Sequence, residues 1–482
     1  MRHLAVPIAA LLLTACPAST YFNPPPASRF YFPTGVAHAD LPGSPNGVLF
    51  VANSNWNKLY ATGSIGMVYL DQVGLPVFGA APANGPLDLT DLGDAGTIQV
   101  NSFTGPLATL QLSPSRLRLF VASRSEGMKF QAVDATFADG GVALSCFPAA
   151  PPGAPTDCAT NAPSTSPAAF EQAPGGVPRA VAPYGVAVQP RVCTSASDCG
   201  ADAGRSCSGG ACFTATGEAF ADTWITHLIQ VDSPIGSGLN YRSYVVRVES
   251  DTMALTADDF FDLGLGSTSG VTAGRQWVYV SGRLVGSGYP FANLVRFASY
   301  RPSGNFAPAP SALELLFRAQ DARGIAVGSG ERKLYILSRS PDALVVAALS
   351  NIGDETTPTL RLLEAVPLPN GPNELVVIPR PGQGDLVAVT CTGVGVLAVY
   401  DEDLGGLAAQ VTSIGQQPFG LAVDRRGSGA RIYVSTFNDG RIAVIDVPDL
   451  GRPQEARLVA RLGKQQICLT NADDAACRGV TP

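Results

Sequence analysis

Residues 417–446 read QPFGLAVDRRGSGARIYVSTFNDGRIAVID. Three short apolar runs, 420–423, 431–435 and 441–445, are separated by RRGSG and TFNDG. Both separators are rich in the Gly, Asn, Asp and Ser that supply tight turns. Each run is four or five residues long and dominated by β-branched and aromatic side chains. The stretch therefore reads as an antiparallel meander of three strands.

The same template recurs upstream. Runs at 323–327 (RGIAV), 333–337 (KLYIL) and 343–349 (ALVVAAL) form one copy, and runs at 373–377, 385–389 and 395–400 form the next. Gly324, Glu374 and Gly420 take the same place, 50 and then 46 residues apart. A fourth strand is expected at 313–317, 359–363, 410–413 and 457–462. Four strands at a period near 50 residues is the pattern of a propeller blade. Weaker copies begin near Gly35, Leu110, Gly185 and Gly270. The expectation is an all-β chain: one seven-bladed β-propeller of four-stranded antiparallel blades over 30–465. Its last blade closes with 457–462 alone or with 28–32 added to its edge. Third strands often end in aspartate, as at Asp71, Asp134, Asp232, Asp401 and Asp446.

A proline or glycine before the first strand, Tyr433-Val434-Ser435-Thr436 in the second and Val-Ile-Asp in the third resemble the YVTN-type seven-bladed propellers. That group includes lactonase-type propellers. The resemblance covers roughly 35–462. It implies a fold and not a function, because propellers host enzymes, binders and scaffolds alike.

Residues 1–15 carry one arginine, an apolar stretch and then small residues. The segment is too short to span a bilayer and reads as an export signal. Leu13-Thr14-Ala15-Cys16 resembles a bacterial lipobox, which implies cleavage before Cys16 and lipidation of that cysteine; an ordinary signal peptide is the alternative. Several acyl chains on one residue hold a protein to a membrane stably. The residue after Cys16 is Pro17 and not aspartate, so the lipobox resemblance implies outer-membrane sorting. Residues 16–29 then form a proline-rich extended tether. The expected partner of this end is the bacterial membrane.

Composition agrees with an exported β protein: 15% of residues are charged, and 52 glycines and 39 prolines supply turns. Loss of Arg2 with the signal leaves 31 basic against 39 acidic residues, a net charge of −8. That argues against a non-specific nucleic-acid partner, which needs a basic face.

Nine cysteines follow Cys16. Cys193, Cys199, Cys207 and Cys212 sit in a Gly/Ser/Asp-rich insert, 191–213, with no apolar core of its own, which disulfides would order in an oxidising compartment. Spacings of five, seven and four lack the CxxC knuckle of structural zinc. Two disulfides are expected there, with three connectivities open. Cys146 with Cys158, and Cys468 with Cys477 in the 466–482 tail, are expected to pair. Cys391 is odd and lies in strand-like VAVTCTG, so it reads as a core thiol. The insert falls between strands one and two of the third repeat, with 211–215 expected as strand two and 224–231 as strand three. Together with a long 72–96 insert and the Cys146–Cys158 loop, it decorates one face, as a partner surface or as tolerated elaboration.

Chemistry is sparse. Asp258-Asp259-Phe260-Phe261-Asp262 matches DDxxD, but that pattern binds magnesium and diphosphate from a helix, and here an interblade turn is expected. The 393–398 stretch GVGVLA leads into a strand and not a helix, so it fails as a dinucleotide fingerprint. His38 reads as a turn residue after the first strand and His227 as packed in a sheet. No Ser/His/Asp order or G-x-S-x-G elbow is present. No metal or cofactor is expected.

The turns between second and third strands, and the residues just before first strands, offer more. They carry Trp56, Arg124, Arg283, Arg339 and Asn438, with Arg323 and Asn373 nearer the axis. Arginines around one mouth suit a carboxylate, a phosphate or an acidic partner; solvated turn residues are the plainer reading. The expected function is a membrane-anchored envelope module that binds a protein, a glycan or a small anionic ligand. A lactonase-like hydrolase acting at the mouth is the alternative.

Overall fold

The computed structural model describes residues 25–465, apart from 59, 94–95, 125–128, 139–140, 150–156, 159–161, 163–177, 200–203, 233–238, 255–259, 266, 284–293, 300–311, 315–320 and 351–358. Cys16, Asp258, Asp259, Cys468, Cys477 and the 466–482 tail therefore lie outside the described residues.

The chain is an all-β propeller. Among the described residues its strands form six four-stranded antiparallel sheets, one five-stranded sheet and a two-stranded ribbon. The first strands are Pro33–Leu41, Thr104–Ser113, Pro178–Pro190, Ser267–Ala273, Asp321–Val327, Pro372–Ile378 and Pro418–Arg426. They pack in that order around an axis, and Pro418–Arg426 returns to Pro33–Leu41 to close the ring. Alternation along the strands buries one face of each sheet against its neighbour. Leu386, Ala388, Leu397 and Val399, for example, pack on Ile432, Val434, Ala443 and Ile445 of the next sheet. No described helix is long and apolar enough to cross a membrane.

The expectation of seven four-stranded antiparallel blades needs correction: six sheets meet it, not seven. In the sheet that begins with Pro418–Arg426, a fifth strand, Leu87–Leu89, lies parallel to Arg457–Leu462. It comes from the 72–96 insert of the first sheet. That insert is therefore a clasp between the two ends of the chain, and neither 457–462 alone nor 28–32 closes the edge. Phe30 instead packs into the core shared by the first and last sheets.

The clasp is fixed by charge as well as by pairing. Asp446 accepts from Arg431 Nε at 2.6 Å, from Arg431 Nη2 at 3.0 Å and from the Gly79 amide at 3.0 Å. Arg431 also donates to the Pro76 carbonyl at 3.0 Å. The same device recurs in other sheets, where an aspartate of the third strand holds a buried arginine. Asp134 holds Arg118, which reaches the Ser250 carbonyl, and Asp401 holds Arg380, which reaches the Leu450 carbonyl. A buried guanidinium needs such a partner.

The third sheet also departs from expectation. Its second strand is Ala221–Asp232 and its third Leu239–Glu249, while Ala211–Phe213 pairs with Ser206–Ser208 in the ribbon. The ribbon is held by Cys193–Cys207 and Cys199–Cys212, and Cys146 bonds Cys158. Disulfides replace the core that this small insert cannot build. Cys391 is a free buried thiol, pushed up to about 12 by burial. Phe260, Phe261 and Asp262 lie in the outer strand Phe260–Leu265 and not in a turn.

Candidate functional site at the propeller mouth

Every first strand breaks register at the same place. The breaks fall at Pro33/Val36, Thr104/Leu107, Pro183/Val186, Thr268/Val271, Ala322/Ile325, Pro372/Leu375 and Pro418/Leu421. Each is a bulge of two residues. A bulge re-aims a side chain and orphans a ladder amide. In four sheets a second-strand hydroxyl takes that amide and donates to the first strand of the next sheet. Ser435 joins the Gly420 amide to the Thr34 carbonyl, Thr390 joins Glu374 to Phe419, Ser281 joins Gly270 to Arg323, and Thr226 joins Gly185 to Ser269.

The first bulge residue faces one end of the axis in five of the seven sheets. Thr34, Tyr184, Arg323, Asn373 and Phe419 line a cavity of about 580 Å3 there. The ends of second strands and the turns after them complete its wall with Trp56, Arg124, Arg339, Phe437 and Asn438. Six of the seven residues singled out from the sequence thus share one cavity: Trp56, Arg124, Arg323, Arg339, Asn373 and Asn438. Arg283 ends the strand Trp277–Arg283, and its side chain lies outside the described residues.

The arginines are held, not loose. Arg339 donates from Nε to the Pro372 carbonyl at 2.9 Å and from Nη2 to Asn373 Oδ1 at 3.1 Å and Thr392 Oγ1 at 3.3 Å. Arg323 is paired with Asp321 at 2.7 Å. Arg124 lies over the Tyr184 ring, 3.9 Å from its centroid. Burial and the neighbouring Arg323 charge hold Arg124 and Arg339 below the usual guanidinium range. Crowded cations favour an anion between them.

Two buried polar atoms at this wall have no protein partner. Asn373 is 5% exposed, and its Oδ1 accepts from Arg339 while its Nδ2 is unpaired; Ser54 Oγ is likewise unpaired. The same cavity carries an aromatic tier. Trp56, 53% exposed, meets Phe103 edge-on at 5.2 Å and Phe437 at 6.0 Å. A large aromatic left that open beside arginines offers a flat ligand a surface.

Below the mouth, an axial cavity of about 170 Å3 is lined by the second bulge residues, Glu374 among them. Tyr184 borders both cavities, and its hydroxyl donates to Glu374 Oε1 over a long 3.4 Å. Removal from bulk water pushes the Glu374 carboxyl up to about 7, against the opposing pull of Tyr184, Arg323, Arg339 and Arg124.

The histidines lie elsewhere. His38 is within Pro33–Leu41 and not in a turn; it stacks on Tyr433 and contacts the Asn46 carbonyl at 2.9 Å, on a sheet edge remote from the mouth. His227 is fully buried in Ala221–Asp232, and burial lowers it to about 3, so it stays neutral. Neither lines the mouth. His38, Asp40 and Asp424 lie close together, but Arg426 already pairs with Asp424 there.

Tyr184, Phe103, Phe419 and Glu374 were missed as site residues by sequence reasoning. The available signal was Glu374 itself, an acid where the neighbouring repeats place glycine.

No family model matches the sequence, and no curated protein matches it. Among solved structures, the chain is similar to the dihydro-heme d1 dehydrogenase NirN in complex with DHE, at 13% identity over 91% of this chain and 71% of that one, with a TM-score of 0.42. It is similar to apo AztD from Citrobacter koseri, at 11% identity, 87% and 95% coverage and a TM-score of 0.41. It is also similar to the periplasmic gluconolactonase PpgL of Pseudomonas aeruginosa, at 12% identity, 90% and 97% coverage and a TM-score of 0.43. Likeness at this level carries no argument about ligand or chemistry.

Proposed function

We propose that the protein is a binding module whose mouth takes a small oxyanion with a flat carbon skeleton. The observation that carries this reading is the unpaired Nδ2 of Asn373, beside Arg339 on the wall of an open cavity. A buried donor without a partner costs about 1–3 kcal/mol unless a ligand or water meets it. Arg124 and Arg339 supply the charge and Trp56 the apolar face. A small ligand suits a 580 Å3 recess better than a protein or glycan partner does, since ligand pockets run from about 300 to 1,000 Å3.

The test is calorimetric titration with benzoate and with inorganic phosphate on the full chain. Binding weakened about tenfold or more in Arg124→Ala, the loss expected for one charge-assisted contact, supports the reading. Equal affinity in parent and variant sinks it. Hydrolysis is the second reading, favoured by one observation: a Glu374 carboxyl near neutrality in the cavity below the mouth. Turnover in a lactone screen that is lost with Arg339→Ala replaces binding by catalysis as the function.

Two further parts belong to the same reading. The five-stranded sheet serves as the seventh blade, supported by the bulge it shares with the other six. The protein is an envelope lipoprotein, anchored through Cys16 on the periplasmic or outer side of a bacterial membrane. The leader and lipobox in the sequence and three disulfides support it. Metabolic labelling with a fatty-acid analogue tests it, and label retained by Cys16→Ser contradicts it.

A further inference from the structure

At the second bulge position, five sheets carry glycine: Gly35, Gly185, Gly270, Gly324 and Gly420. A Cβ there would lie 2.6 to 2.9 Å from backbone of the next first strand at four of them, and closer still at Gly420. At these five sheets the close approach leaves no room for a side chain; the second sheet carries Pro106 at the same place. The first strand Pro372–Ile378 nevertheless carries Glu374 there. Among the seven residues at this place, five glycines, a proline and Glu374, only Glu374 carries a charge, and such a departure from the local pattern is expected at a functional site. It also faces a cavity, and Tyr184 connects that cavity to the mouth.

We propose that Glu374 and Tyr184 form a subsite on the floor of the mouth that reads a hydrogen-bond donor, so that the ligand is a flat hydroxy acid. This rests on the mouth being an anion site. The oxyanion of such a ligand goes to Arg124 and Arg339, its ring to Trp56, and its hydroxyl to Tyr184, whose own hydroxyl is held by the Glu374 carboxylate below. An ammonium donor is disfavoured because three guanidiniums act on the same space, whereas a neutral hydroxyl meets no such repulsion. Tyr184 both donates and accepts, so it can relay the hydroxyl to Glu374.

The experiment is calorimetry of the full chain at pH 8 with benzoate, 3-hydroxybenzoate and 4-hydroxybenzoate. The expected result is a hydroxybenzoate that binds about tenfold tighter than benzoate, the factor for one hydrogen bond to a charged group. In Glu374→Gly the ratio falls to about one. That variant restores the residue of five sister sheets, so it is expected to fold, and thermal unfolding checks this. Tyr184→Phe gives a second route to the same loss of preference. Benzoate binding that gains nothing from either hydroxyl overturns the subsite and leaves the anion site standing. Failure of all three to bind overturns the anion site, and the subsite with it.

Discussion

Replacing Asp446 by alanine strands Arg431, whose side chain is 0% exposed, without its carboxylate. The Gly79 amide loses its acceptor in the same step, and the guanidinium already has one nitrogen, Nη1, without a partner. Breaking a buried pair by removing one member costs about 3–5 kcal/mol. For a chain of this length the unfolding entropy is about 1 kcal/mol/K, so the melting temperature should fall by about 3–5 °C. The loss should be local first, because the pair ties 76–79 to the last sheet. Hydrogen exchange should show faster labelling in 72–96 and in Arg457–Leu462 than elsewhere. The double variant Arg431→Leu/Asp446→Leu removes both charges and should recover most of the loss. A single variant within about 0.5 kcal/mol of the parent, the range of ordinary surface substitutions, would refute the claim that this pair locks the clasp.

Gly420→Ala should destabilise by about 1–3 kcal/mol, since its Cβ meets the Thr34 carbonyl, whereas Gly406→Ala meets nothing within 4 Å and should be neutral in chemical denaturation. Reduction should expose the Cys193–Cys212 ribbon to protease before the propeller opens, because its order rests on two disulfides and few apolar contacts; simultaneous loss of both would contradict this. Stability should depend on pH through Glu374. Between its ordinary value of 4.5 and about 7, the folded chain keeps a proton that the unfolded chain has lost. Stability therefore falls as pH rises across that window and levels off above it, by at most about 3 kcal/mol. Denaturation curves of Glu374→Gly should lack this slope.

Much of the fold was legible because each repeat folds locally. The 417–446 stretch folds as read, into Pro418–Arg426, Gly429–Thr436 and Arg441–Val447. The mouth followed from the same logic: Arg124, Arg339 and Asn438 sit at equivalent turns, and equivalent turns of a closed ring converge. The clasp was not legible, because Leu87–Leu89 is three residues pairing with a strand some 370 positions away, and local periodicity carries no such information. The third repeat misled because its cysteine framework inserts a strand-like ribbon before the true second strand. Asp446 was visible as part of a recurring strand ending, but its partner Arg431 lies on the adjacent strand, where the apolar pattern hides it. Glu374 stood in plain view beside Gly324 and Gly420. Its meaning needed the bulge, since only the close approach of the next strand shows why glycine is the rule there.

The most direct measurement is a high-resolution crystal structure of the full chain soaked in 4-hydroxybenzoate. Density for the carboxylate between Arg124, Arg339 and Asn373 Nδ2, with the ring against Trp56, is the predicted result. An empty mouth at a ligand concentration that saturates binding in solution, or density on the opposite face beside the disulfide ribbon, would contradict it.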